Sequence, residues 1–162
     1  MKIYEWTLFV FVSFFTFISC STHSLVRVRS LEKFLKSHDL EYTVDSEGDF
    51  RILSAGEKQP RDVWIRGDIN YSGSIGIREI FTFSSLLGPL ELSRVSRVLL
   101  LDNLQTRVMG SWSLLKDHER DQYLILYTVK APLNAKEDYI LQAIKESSEA
   151  AMILERVLSP GL

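Results

Sequence analysis

Apolar and polar positions along the chain follow two periods, and the switches between them lay out the elements. Leu31, Phe34 and Leu35 share one face at helical spacing, so Leu31 to His38 is predicted to be a short helix with Ser30 as its N-cap. Tyr42 to Val44 and Phe50 to Leu53 then read as two strands of a hairpin that turns at Ser46, Glu47, Gly48 and Asp49. Val63 to Arg66 is expected to be extended, after a polar loop that ends at Pro60. Ile77 to Phe83 favours a strand because its β-branched and aromatic side chains fit a pleated, half-buried surface.

The helical period returns between Pro89 and Thr106. There Leu92, Val95 and Leu99, flanked by Val98, Leu101 and Leu104, form a broad apolar stripe, and Pro89 suits a first helical turn. This helix is predicted to be central and well buried. Trp112 to Leu115 and Tyr123 to Val129 follow as two strands joined by the charged turn Lys116 to Asp121. Asn134 with Glu137 three places on makes a capping box, opening a helix that runs to about Leu158. Its apolar stripe is Ile140, Ile144, Ser147, Ala151, Leu154 and Leu158. The order is helix, three or four strands, helix, two strands, helix. It predicts an α+β domain with an antiparallel sheet and helices, α-β-β-β-α-β-β-α in its simplest form.

The first twenty residues stand apart from this alternation. Lys2 and the amino terminus supply a positive end, Trp6 to Ile18 an apolar segment broken only by Thr7, Ser13 and Thr16, and Ser19 a small residue before Cys20. Thirteen helical residues cover about 20 Å against roughly 30 Å of hydrocarbon, so a cleaved export signal is favoured over a membrane span. Phe17, Ile18, Ser19 and Cys20 resemble the bacterial lipobox, with Phe17 where leucine is usual. That resemblance implies a signal over 1–19, a lipidated Cys20 that anchors the chain to a membrane of the bacterial envelope, and a tether over 20–30 ahead of one domain over 31–162. Cys20 is the only cysteine, so an intramolecular disulfide is excluded, and lipidation gives the odd thiol a use.

Charge narrows the partners. The formal net charge is −2, and removing residues 1–19 takes away one base, Lys2, and one acid, Glu5, so it stays there. Mild acidity with no run of Lys and Arg argues against nucleic acid, or an anionic membrane surface, as the main partner. His23, His38 and His118 do not share a metal-ligand or nucleophile-base spacing, and no glycine-rich phosphate loop occurs, so the expectation is a chain that is not an enzyme.

Two readings compete for Asp68 to Glu79. Oxygen side chains at Asp68, Asn70 and Ser72, Gly73 at the sharp turn and Glu79 in the last place resemble the twelve-residue calcium loop of an EF-hand. Against it, Pro60 and Gly67 leave little room for an entering helix and the exit side favours a strand. A hairpin turning at Tyr71, Ser72, Gly73 and Ser74 is therefore favoured, with calcium as the alternative cofactor and no cofactor as the main expectation. Trp112, Tyr123 and Tyr127 on the late strands either pack the core or line a binding surface, since aromatics supply large contact area.

From Leu31 onward the chain resembles the YbjN family, whose fold is similar to that of the class I type III secretion chaperones. The resemblance rests on Arg78 to Ser84 (REIFTFS), Leu99 to Asn103 (LLLDN), Gly110 to Leu115 (GSWSLL) and Ala150 to Leu158 (AAMILERVL). It implies a secretion-chaperone-like domain that binds another polypeptide and forms a homodimer, without catalysis. The related chaperones work in the cytoplasm, from which the export signal here departs.

Overall fold

The structure, a computed structural model, describes residues 29–53 and 61–158. The expected signal over 1–19, Cys20, nearly all of the tether, His23 and Pro60 lie outside them. The chain divides into two units, residues 1–39 and 40–162.

In the first unit, α1 spans 29–37. Leu31 and Leu35 are buried, as the spacing predicts, and the Phe34 and His38 rings meet at 4.8 Å. Ser30 lies within the helix and is not its N-cap.

Among its described residues the second unit has a seven-stranded antiparallel sheet and two helices, and the α+β prediction holds. Its elements are β1 (Tyr42–Val44), β2 (Phe50–Leu53), β3 (Asp62–Ile65), β4 (Asn70–Ser72), β5 (Ile75–Leu87), α2 (Pro89–Gln105), β6 (Gly110–Asp117), β7 (Gln122–Pro132) and α3 (Glu137–Leu158). The strands lie in the order β1-β2-β3-β5-β7-β6, with β4 paired to part of β5. Five strands precede α2, more than the simplest order allowed. The added arm, β4, has three exposed residues and so offers no apolar alternation to read.

Alternation along the strands defines a covered face. Phe50, Ile52, Val63, Ile65, Ile80, Thr82, Ile125, Tyr127 and Val129 are all buried, and the register places them on one side of the sheet. Both α2 and α3 pack there. Val95 and Leu99 of α2 turn inward, and α3 brings the small residues Ala143, Ser147, Ala150 and Ala151 with Ile144 and Leu154, which lets its backbone approach the strands closely. Ile140 and Leu158, expected in the α3 stripe, are only half-buried at its ends.

Two local expectations are corrected. The amide of Ala135 donates to Pro132 O in a turn that takes up Asn134, and the first helical carbonyl of α3 is that of Lys136, so Asn134 is not the cap. The α2 stripe is too broad for one sheet to cover: Val95 and Leu99 are buried, whereas Leu101 and Leu104 are exposed. At about 100° per residue those two leucines lie on the far side of the helix from Leu99.

Candidate functional site

The sheet face away from α2 and α3 carries the side chains of alternate residues, and neither helix covers it. A row across the strands runs Arg51, Trp64, Phe81, Thr128, Ser111, each paired with the next. Trp64 and Phe81 stack with centroids 6.5 Å apart, and Phe83 meets Phe81 edge-on at 5.4 Å. The Arg51 guanidinium lies 5.9 Å from the Trp64 ring centre and that of Arg66 5.2 Å from Phe81. Both cations are also held by carboxylates. Arg51 Nε donates to Asp62 Oδ2 at 2.6 Å, and Arg66 Nε to Glu79 Oε2 at 3.2 Å.

A second group on this face is uncharged. Phe83 pairs with Leu126 and that with Ser113, while Leu86 pairs with Leu124 and that with Leu115. Phe83, Leu86 and Leu115 are exposed. Strict alternation would send Phe83 and Leu86 to opposite faces. The register shift between them inserts one extra residue into β5, so both point outward and Leu87 turns into the core. The bulge thus adds Leu86 to an outward apolar strip that runs from β5 across β7 to the edge strand β6.

The aromatics singled out in the sequence lie elsewhere. Trp112 and Tyr127 are buried on the covered face, their rings 5.0 Å apart, which assigns them to packing. Trp112 Nε1 donates to Asp102 Oδ2 at 2.6 Å, Arg107 Nε donates to the same oxygen at 2.6 Å, and the Tyr127 hydroxyl donates to Glu146 of α3. Asn103 clasps the outer backbone edge of β6, accepting from Trp112 N and donating to Trp112 O. Gly110 leaves room for the Tyr127 ring, since a Cβ there would stand 2.7 Å from its Cζ and 2.8 Å from Thr128 O. Tyr123 is half-buried beneath the Lys116 ammonium, 5.8 Å from the ring centre.

This cluster shifts two titrations. Burial by itself would raise the Asp102 carboxyl, but hydrogen bonds from Arg107 and Trp112, together with the Arg107 charge, outweigh it and hold the group below the ordinary aspartate range. Burial and the bond to Glu146 push the Tyr127 hydroxyl well up, so it stays protonated.

The segment from Asp68 to Glu79 forms the β4–β5 hairpin, turning at Gly73 with a positive φ of 61°. Asn70 and Ser72 lie on β4, Asp68 is in the bend before it, and Glu79 is on β5. The Glu79 carboxylate accepts from Arg66, whose other nitrogen stands 3.8 Å from Asp49. These four side chains are therefore strung along a bend and two strands, as the hairpin arrangement places them. Among the described residues no three His, Cys, Asp or Glu side chains are grouped to hold a metal, and no helix is long and apolar enough to cross a membrane.

The open face escaped the sequence reading although its signal was present. Phe81 and Phe83 alternate with Ile80 and Thr82, so both sides of β5 are rich in apolar side chains, and α2 and α3 take only one of them.

Fold and site together define an α+β domain whose antiparallel sheet is helix-covered on one face and presents aromatics, arginines and leucines on the other. No protein-family model, curated protein or solved structure matches the chain.

Proposed function

We propose that the chain is an exported, lipid-anchored envelope protein, held at Cys20, whose domain binds another polypeptide on the open sheet face without catalysing a reaction. The observation that carries this reading is the outward strip Phe83, Leu86, Leu115, Leu124 and Leu126, apolar and uncharged, to which the β5 bulge adds Leu86. Exposed apolar area of this kind gains free energy when a partner removes it from water, at about 25 cal/mol per Å² before the costs of association. The stacked Trp64 and Phe81, clamped by Arg51 and Arg66, give the strip a rigid neighbour that loses little entropy on binding. Resemblance to the YbjN family and to secretion chaperones points the same way. A second copy of the chain is one polypeptide that suits the strip, because a two-fold axis brings no like charges together there.

The test is photocrosslinking in the envelope of living cells, with a benzophenone residue at Leu115 or, as a control, at exposed Lys145 of α3. Polypeptide adducts at position 115 that are lost in Phe83→Ser support the reading, and an adduct of twice the chain mass identifies a second copy. Adducts no stronger at 115 than at 145 overturn it.

A further inference from the structure

The outer side of α2 is a ridge that the second unit leaves uncovered. Leu90 is 98 % exposed, Leu104 81 % and Val108, just past the helix, 92 %, with Leu100 and Leu101 exposed beside them. Arg94 and Arg97 stand among these leucines, exposed and without an ion pair to any described residue. Of the two acids on the helix, Asp102 is turned inward to Trp112 and Arg107, and Glu91 lies in the first turn, about 100° round from Leu90. The ridge therefore carries two positive charges, with exposed Glu91 on its flank about 60° round from Arg94.

We infer that this ridge is a membrane-contact face, laying α2 along an anionic lipid surface. Leucines that protrude so fully fit a soft apolar layer, and guanidiniums on long stems reach the lipid phosphates while their methylenes stay with the leucines. The mild net acidity, which argues against an anionic membrane as the main partner of the whole chain, acts weakly at the ridge, because an exposed charge is screened within about 8 Å at physiological salt and the local field meets the headgroups. Self-association through the ridge is disfavoured, since a two-fold axis would set Arg94 and Arg97 against their own copies. The inference goes beyond the proposed function and stands without it. Where Cys20 is lipidated, the ridge adds a further membrane signal to the acyl chains, and stable attachment takes more than one.

The experiment uses the full chain with Cys20→Ala, so that one new thiol carries an environment-sensitive dye. Leu104→Cys reports on the ridge and Lys145→Cys on the outer side of α3. Each is mixed with vesicles of brominated phosphatidylcholine, alone or enriched in phosphatidylglycerol. The expected result is quenching at position 104 and not at 145, on phosphatidylglycerol vesicles only, weakened by salt. Adding Arg94→Gln and Arg97→Gln should lower the docked-to-undocked ratio by about thirtyfold, with an unchanged thermal melt. Quenching absent on both vesicles, equal at the two positions, or indifferent to the two arginines overturns the inference. So does a dye at 104 already shielded without lipid in a particle of doubled mass, which would give the ridge to a second copy.

Discussion

Aromatic residues serve both faces of the sheet, but their surroundings differ. On the covered face Trp112 and Tyr127 each end in a polar group that another element satisfies, Asp102 of α2 and Glu146 of α3. Cross-element bonds of this kind tie the helices to the sheet, and a buried tip left without a partner costs more than the bond itself contributes. On the open face Phe81 is buried beneath Trp64, Phe83 and an arginine, the two arginines there are already held by carboxylates, and Phe83, Leu86 and Leu115 remain exposed. Buried aromatics with bonded tips build stability, whereas exposed apolar groups without such bonds are available to a partner.

Substitution can break this contrast, and the largest effect is expected at Tyr127. Tyr127→Ala removes a fully buried ring, strips the Glu146 carboxylate of its donor and opens a cavity beside Trp112 and Gly110. Urea unfolding should show a loss of about 3–5 kcal/mol. A loss under about 1 kcal/mol would mean that the covered face is not the stable half.

A smaller effect, with a pH signature, is expected at Asp102. Its carboxyl titrates below the ordinary aspartate value, so the bonds from Arg107 and Trp112 stabilise the fold above that value and are lost as pH falls through the lower folded one. Asp102→Asn should cost about 1–3 kcal/mol at neutral pH and flatten this acid limb in a series of urea midpoints against pH. A variant with the same acid limb as the parent would show that the carboxylate does not hold Trp112.

The smallest stability effects sharpen the comparison from the other side. Leu115→Ser should move the unfolding free energy by no more than about 0.5 kcal/mol, and Phe83→Ser, which gives up edge-on contacts with Phe81 and Trp64, by about 1–1.5 kcal/mol, while both reduce partner capture. If instead they unfold the domain as Tyr127→Ala does, the open face is structural.

Much of the fold was legible because its signals are local. The Phe50–Leu53 strand, the turn at Gly73 and the α2 start at Pro89 each follow from a few adjacent residues. The α3 start was misplaced because Asn134 is drawn into the turn after β7, a competition that side-chain type does not reveal. The open face was harder to see. Both sides of β5 are largely apolar, and which side the helices take is set by packing between residues distant in the chain. Ser84 and Ser85 at the bulge look like ordinary strand or loop residues, yet the one extra position there decides where Leu86 points.

The sequence by itself determined the period of each element, the antiparallel α+β class and the net charge, since these depend on neighbours along the chain and on composition. Only the tertiary structure decided that Trp112 and Tyr127 are interior, that Glu79 answers Arg66, and that the leucines of α2 divide between core and solvent. The physical reason is that burial belongs to pairs of surfaces. A helix with apolar residues around most of its circumference can place only one side against a sheet, and its sequence does not say which leucines remain outside.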